Sequence, residues 1–232
     1  MKKDTTKKTA LGGIASKRRE AVRVKAKKNR TESSRKWLLR QLNDPYVAAA
    51  KEDGYRSRAA YKLLQLDEQF KLLRPAQRIV DLGAAPGGWS QVAVATMGKK
   101  GKLIGIDLLP IKPMENAEFI QLDFLAPEAP DTLKAMLGGE ADLVLSDLAH
   151  STTGHARTDH IRVMALAEAA AMFAMEVLTP GGGFVCKFFQ GGAEKILLDQ
   201  LKKHFAKVKH AKPAASRAES SENYLVAQGF RK

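Results

Sequence analysis

Four aspartates and one lysine stand out because each lies in, or directly after, an apolar segment typical of a buried β-strand. Carboxylates accept hydrogen bonds from hydroxyl and amino groups, and a lysine is rarely buried without a partner. The carboxyl ends of parallel strands meet at one edge of a sheet, so we expect these side chains to line a ligand site there. They are Asp81, Asp107, Asp123, Asp147 and Lys187.

Lys187 lies inside the apolar run 184–189, where a charged group needs a partner. In a doubly wound sheet, the strand that ends at Asp147 and the strand that carries Lys187 would be neighbours. The sequence therefore predicts that these two side chains lie together at the carboxyl edge of the sheet. The alternative is that Lys187 only extends to solvent at the end of its strand.

The segment 79–89 predicts a strand, a glycine-rich turn and the start of a helix, which together bind nucleotide-like ligands in doubly wound folds. Its glycines have the spacing G-x-x-x-G-G, whereas the dinucleotide fingerprint is G-x-G-x-x-G. Pro86 also removes a main-chain donor that a pyrophosphate would use. The turn therefore favours S-adenosylmethionine, which has no phosphates, and disfavours a dehydrogenase. A glycine turn without a ligand is the alternative.

Two of the aspartates suit parts of that cofactor. Asp107 ends the second predicted strand, where a carboxylate can accept both hydroxyl hydrogens of a ribose. Asp123 can accept a hydrogen bond from the adenine amino group or from a nearby main-chain donor. Any one aspartate could instead cap a turn, but a series of them at successive strand ends favours a binding site.

The rest of the chain alternates strand-like and helix-like segments, which predicts an α/β fold with helices on both faces of a mostly parallel sheet. Before the sheet, residues 32–52 and 59–70 predict two helices, and Asp44-Pro45 can break the first of them. The predicted strands are 78–83, 102–108, 118–123, 142–147, 183–189, 206–211 and 224–228, and the helices between them are 89–97, 130–137, 161–177 and 193–205.

The totals narrow the functional class. At 232 residues the chain forms one domain with an appendage, and its net charge of +14 favours polyanionic partners. One cysteine, Cys186, excludes an internal disulfide framework and fits a reducing cytoplasm. Apolar runs are too short for a membrane span. His150, His155 and His160 recur at a five-residue spacing that suits no common helical ligand pair, so we expect no metal.

Residues 1–36 form a basic arm, with 14 lysines and arginines against three acidic residues. Few large apolar side chains interrupt it, so it cannot build a core and we expect it to be disordered alone. The remaining residues, 37–232, would form a single domain. The arm either binds RNA phosphates or acts as a solvated tail, and the concentration of charge favours RNA binding.

Several segments resemble the FtsJ/RlmE family of S-adenosylmethionine-dependent ribose 2′-O-methyltransferases. The resemblance covers about residues 54–230 and implies a Rossmann-like class I methyltransferase fold, with a seven-stranded sheet whose last strand is antiparallel. Bacterial members act on large-subunit (23S) ribosomal RNA, which implies methylation of a ribose, expected to be that of a uridine. The matching segments are 57–63, 80–91, 107–110, 146–147, 187–191, 212–213, 216–217 and 222–224.

The resemblance also implies roles for individual residues. The family's Lys-Asp-Lys-Glu tetrad matches Lys62, Asp147, Lys187 and Glu222. Lys187 would remove the 2′-hydroxyl proton, because aromatic neighbours and a facing Lys62 both favour a neutral lysine. Asp147 and Glu222 would orient it, and Lys62 would position the ribose. The residues implied to contact the cofactor are Gly87, Trp89, Asp107, Asp123 and Asp147.

One motif departs from the family pattern, and two alternatives stay open. Where the family commonly continues Asp-Met-Ala-Pro-Asn, this chain has 147–151 as Asp-Leu-Ala-His-Ser. The enzyme could act on another RNA, or the chain could be a non-catalytic RNA-binding factor in ribosome assembly. The complete tetrad argues against the second alternative. We expect a monomeric cytoplasmic enzyme that takes part in ribosome biogenesis.

Overall fold

The structure, a computed structural model, describes residues 32–150, 154–190 and 194–232. Most of the basic arm, residues 1–31, lies outside the described residues. Residues 32–36, which the sequence analysis placed in the arm, are helical. The helices are α1 (Glu32–Asn43), α2 (Pro45–Glu52), α3 (Ala60–Phe70), α4 (Gly88–Met97), α5 (Ala129–Leu137), α6 (Ala156–Val177) and α7 (Glu194–His204). The strands are β1 (Arg78–Leu82), β2 (Lys102–Asp107), β3 (Ala117–Gln121), β4 (Ala141–Ser146), β5 (Leu178–Phe189), β6 (Phe205–Ala211) and β7 (Glu222–Phe230).

The seven strands form one sheet in the order β3-β2-β1-β4-β5-β7-β6. β7 is antiparallel to both of its neighbours, β5 and β6, and the other pairs are parallel. This confirms the predicted α/β architecture, including the antiparallel last strand. Because β4 and β5 are neighbours and β7 runs the opposite way, the end of β4 and the start of β7 lie at the same edge of the sheet.

Helices cover both faces of the sheet because successive residues of each strand point to opposite sides. In β1, Ile79 packs in the core cluster that includes side chains of α3 and α4. Val80 and Leu82, its neighbours on the other face, pack in the cluster with α5, α6 and α7. Burial on both faces explains why the central strands are near-continuous apolar runs.

Two element boundaries differ from the sequence prediction by five residues, and the other strand ends differ by at most two. β5 begins at Leu178, not at residue 183, because Leu178 pairs with Ala141 ahead of a register shift that takes up the glycine run. α6 begins at Ala156, five residues earlier than predicted. β5 starts at the edge of the sheet opposite the site, whereas α6 starts on the carboxyl side, after the loop that follows Asp147. Neither difference changes the position of the polar strand ends.

The two N-terminal helices break at Asp44-Pro45, as predicted. Proline occupies the first position of α2, and the Asp44 carboxylate accepts a hydrogen bond from the Tyr46 main-chain N–H at 3.0 Å. Tyr46 is buried and its ring centroid lies 5.4 Å from that of Tyr61 in α3. These contacts attach α2 to α3, the helix that precedes the first strand of the sheet. In the described part of the chain, no helix is long and apolar enough to cross a membrane.

Candidate active site

The structure brings the four tetrad side chains together in two buried ion pairs. Lys187 Nζ lies 3.1 Å from Asp147 Oδ1 and donates to the Asp147 main-chain oxygen at 2.7 Å. Lys62 Nζ lies 2.8 Å from Glu222. Both lysine side chains are less than 10% exposed, at 6% and 9%. The pairing of Asp147 with Lys187, expected from strand order alone, is therefore observed.

Tyr224 joins the two ion pairs. Its hydroxyl donates to Asp147 Oδ1 at 2.8 Å and accepts from Lys62 Nζ at 3.1 Å. Burial, followed by the charges of Asp147 and Glu222, raises the pKa of Tyr224 well above its ordinary value, so the hydroxyl keeps its proton. The sequence analysis included Tyr224 only in the matching segment 222–224 and gave it no role. The signal was present, because Tyr224 stands two positions after Glu222 and hence on the same face of its strand.

Strand register brings these residues into contact. In the antiparallel pair of β5 and β7, Lys187 is opposite Tyr224 and Phe189 is opposite Glu222. Asp147 follows β4 directly, and its main-chain N–H donates to the Leu82 oxygen at 3.1 Å, which continues the parallel pairing past the strand end. Lys62 reaches the same edge from the first turn of α3.

The electrostatics of the cluster favour a charged Asp147 carboxylate. Burial by itself raises the pKa of Asp147. The charges of Lys187 and Lys62, together with the Tyr224 hydroxyl, outweigh that effect and hold its pKa below the ordinary value. Glu222 also accepts a hydrogen bond from Ser216 Oγ at 2.8 Å. Each carboxylate is thus fixed by more than one donor, which limits the orientations open to both lysines.

A second group of predicted residues lines a cavity of about 240 Å³ at the same edge. Asp107, Asp123 and Asp147 contribute to its wall, with apolar surface from leucines and Phe124. Asp107 Oδ2 accepts from the Ala85 N–H and Oδ1 from the Leu109 N–H, each at 2.9 Å. A carboxylate oxygen has two lone pairs, so Asp107 can also accept from a ligand's hydroxyls.

Asp123 lies next to Asp107 in the cavity wall and caps a turn, with Oδ1 accepting from the Leu125 N–H at 2.9 Å. Both aspartates therefore cap turns, as the alternative predicted, and their role toward a ligand stays a prediction. Acceptors that face a largely apolar wall fit the ribose and adenine of S-adenosylmethionine, which present hydroxyl and amino donors.

The other two predicted cofactor residues are not in the wall of that cavity. Trp89 is buried in the core, where its indole N–H donates to the Ala59 oxygen at 2.8 Å and its ring lies 5.7 Å from that of Tyr224. Its main-chain N–H belongs to the first turn of α4, where helical N–H groups have no partner within the helix. Gly87 precedes that turn at φ +103°, a conformation that disfavours other residues.

Asp81, beneath the glycine turn, is fully buried and differs from its neighbours. Ser90 Oγ donates to its Oδ2 at 2.6 Å, whereas Oδ1 has no hydrogen-bond partner among the described residues. Burial, against the opposing Ser90 hydrogen bond and with smaller contributions from the charges of Asp147 and Asp107, raises the pKa of Asp81 to about 7. The sequence analysis placed this aspartate at the edge but assigned it no role.

The stretch after Asp147 departs from the family motif, and part of it is visible. His150 lines the cavity beside Asp147, whereas Ser151 lies outside the described residues. The three histidines do not assemble, and no cluster of three metal-ligating side chains occurs among residues 32–150, 154–190 and 194–232.

Comparisons with known proteins identify the family that the chain resembles. The model of the family described as FtsJ-like methyltransferase matches residues 55–230. Ribosomal RNA large subunit methyltransferase E of Paramagnetospirillum magneticum is 57% identical, over 99% of this chain and 96% of its own length. The protein of the same name from Xanthobacter autotrophicus is 59% identical, over 90% of this chain and 84% of its own length.

A solved structure extends the likeness to three dimensions. A protein from Plasmodium falciparum, named as a ribosomal RNA methyltransferase, superposes with a TM-score of 0.67 at 32% identity, covering 76% of this chain and 98% of that one. The family match includes every side chain of the two ion pairs and of the aspartate-lined cavity. The chain therefore belongs to the FtsJ-like methyltransferase family.

Proposed function

We propose that this protein methylates the 2′-oxygen of a ribose, that of a uridine, in large-subunit ribosomal RNA, with S-adenosylmethionine as methyl donor. The observation that carries the proposal is the pair of buried lysine–carboxylate contacts joined by Tyr224, beside a cavity lined with aspartates. The names of the relatives support ribosomal RNA of the large subunit as the substrate.

The chemistry requires a base, because a ribose hydroxyl is hardly ionised near neutral pH and is a poor nucleophile. We assign this role to Lys187, which is held by Asp147 at the end of β4. Lys62, paired with Glu222, positions the ribose. S-adenosylmethionine supplies a methyl group on a positively charged sulfur. Its transfer needs in-line placement of the attacking oxygen and no further activation.

Different residues along the sheet edge bind different parts of the cofactor. Asp107 accepts the two ribose hydroxyls and Asp123 the adenine amino group, in the cavity beside β2 and β3. The carboxylate of the methionine end meets the main-chain N–H of Trp89 at the start of α4, where the helix dipole favours an anion. Gly87 lets the backbone approach this end, and Asp147 lies where the cofactor and the reaction centre meet.

The test is transfer of labelled methyl from S-adenosylmethionine to large ribosomal subunits from cells that lack the protein, followed by mapping of the label. We expect label on one ribose 2′-oxygen. Label on a base, or only on another RNA, would contradict the proposed reaction or substrate. Cofactor binding without transfer to any RNA would favour the assembly-factor alternative.

We further propose that the basic arm binds RNA phosphates, while residues 37–232 act as one monomeric methyltransferase domain in the cytoplasm. If the arm contacts about five phosphates of a single strand, log affinity falls with log salt at a slope near −3.5. Deletion of residues 1–31 should flatten that slope and leave cofactor binding intact. An unchanged slope would show that the arm is a solvated tail.

A further inference from the structure

A second cavity opens directly beside the reaction centre and differs in character from the aspartate-lined one. It has a volume of about 320 Å³ and shares Lys62 and Glu222 with the tetrad. The rest of its wall includes three arginines, Arg40, Arg58 and Arg217. A group bound here would therefore lie next to the ribose that Lys62 positions.

The arginines outnumber the carboxylate that holds them. Asp44 Oδ2 lies 2.9 Å from Arg58 Nε and 3.5 Å from Arg217 Nη2, so one negative charge serves two guanidinium groups. Burial lowers the pKa of Arg58, and the charge of Arg217 lowers it further against the opposing charge of Asp44. Arg40 adds a third, exposed cation. With Lys62, Glu219 and Glu222 included, four cations and three carboxylates surround the cavity, so an anion bound there would balance the remaining positive charge.

The N-terminal helices contribute to this cavity from outside the part of the chain that the family model matches, which begins at residue 55. Arg40 belongs to α1, and Asp44 is the N-cap of α2. The Arg58 guanidinium lies 5.8 Å from the centre of the Tyr46 ring, and it also donates to the Ala215 main-chain oxygen. Asp44 and Tyr46 thus fix one arginine and orient it toward the cavity.

We propose that Arg40, Arg58 and Arg217 bind a phosphodiester group of the RNA strand adjacent to the target ribose, with Asp44 as the positioning residue. The planar guanidinium group matches phosphate oxygens in pairs, which a lysine cannot do. Phosphate contacts fix the register of a nucleic acid without reading its sequence. This subsite rests on the proposed function, since it holds the strand so that the 2′-oxygen faces Lys187.

One carboxylate in the wall predicts an effect of opposite sign. Glu219 lines the cavity and is exposed. If a phosphate binds here, Glu219 repels it, and the substitution Glu219→Gln should lower the KM for RNA. If the cavity binds no anion, Glu219→Gln should leave the KM for RNA unchanged.

The experiment compares three charge-neutralising variants in methyl transfer to large ribosomal subunits from cells that lack the protein. Arg40→Gln should raise the KM for RNA by about tenfold with kcat unchanged, and reduce the slope of log KM against log salt by about 0.7. Lys51→Gln removes the same charge from an exposed position of α2 outside the cavity and serves as the control. Glu219→Gln should shift KM the opposite way.

The outcomes separate the subsite from the function. The subsite would be overturned if the wild type methylates the subunits and Arg40→Gln has the same KM and salt slope as Lys51→Gln. That result would leave the proposed function standing. Failure of the wild-type protein to methylate the subunits would overturn both. A fall in kcat for Arg40→Gln, with KM unchanged, would also contradict a role in binding the strand.

Discussion

The two halves of the carboxyl edge use their acidic side chains in opposite ways. On the side of β4, β5 and β7, Asp147 and Glu222 each pair with a lysine, and Tyr224 joins the pairs. On the side of β1, β2 and β3, Asp107 and Asp123 accept hydrogen bonds from main-chain N–H groups. The first half is a closed network of charges that fixes its members, whereas the second leaves acceptor capacity for a ligand.

The largest expected effect is the loss of kcat when Lys187 is replaced. Lys187→Met should lower kcat by about 10²–10⁴-fold, the contribution typical of general acid–base catalysis. The affinity for S-adenosylmethionine should stay near that of the wild type, because the aspartate-lined cavity is unchanged. Single-turnover methyl transfer and cofactor titration measure the two quantities separately.

The same experiment has a result that would reverse the assignment. If Lys187→Met keeps substantial turnover and Lys62→Met does not, then Lys62 is the base and Lys187 the positioning group. Both lysines are buried and both pair with a carboxylate, so the contrast between the two variants is matched in size, charge and burial.

Replacement of Asp107, on the side of β1, β2 and β3, is the complementary change. In Asp107→Asn, the new amide group would face the N–H donors of Ala85 or Leu109, and one ribose acceptor would be lost. Cofactor affinity should fall by about 10–100-fold, the loss expected for hydrogen bonds to a charged group. At saturating cofactor, kcat should be retained. A large loss of kcat at saturation would show that the two halves are not separable.

Tyr224→Phe tests the link between the two ion pairs, because it removes the bridging hydroxyl and keeps both pairs. We expect kcat to fall by about tenfold, equivalent to about 1.4 kcal/mol, with the KM for RNA little changed. Tyr61→Phe is the matched control, since Tyr61 is equally buried but its hydroxyl donates to Asp53, away from the centre. Equal effects of the two variants would indicate loss of packing.

Much of the edge could be predicted from sequence because its parts follow from strand order. Asp147 and Lys187 belong to adjacent parallel strands, and each interrupts or ends an apolar run, so their contact needed no knowledge of side-chain geometry. Glu222 required the antiparallel direction of β7, which only the family resemblance supplied. Lys62 lies on a helix before the sheet, and no periodicity argument could place it.

What the sequence did not reveal depends on contacts between distant segments. Tyr224 reads as an ordinary β-prone aromatic until β7 is paired with β5, when its hydroxyl is found between the two ion pairs. In the sequence, Arg40 lies within the helix predicted for residues 32–52, and Asp44 belongs to the Asp44-Pro45 pair that can break it. In the folded chain Arg40 lines the cavity beside the reaction centre and Asp44 pairs with Arg58, contacts that depend on how the N-terminal helices pack against the rest of the domain.

Asp81 supplies the clearest contrast with Asp147. Its pKa is raised to about 7 in the folded protein from an ordinary 3.8, so between these values the unfolded chain releases a proton that the folded chain keeps. Stability contributed by Asp81 is therefore present below about pH 4 and is lost as the pH rises toward 7. Asp147, with a lowered pKa, contributes in the opposite direction and loses its stabilising effect in acid.

Urea unfolding of Asp81→Asn between pH 5 and 8 tests this contrast. The variant keeps an acceptor for Ser90 and removes the titrating group, so its free energy of unfolding should exceed that of the wild type by at most about 4 kcal/mol at pH 8 and by progressively less toward pH 5. Asp131→Asn, a change at a side chain 90% exposed, should show no such trend. Parallel curves for Asp81→Asn and the wild type would mean that Asp81 ionises normally, and that the acid half of the edge tolerates three neighbouring negative charges without a cation.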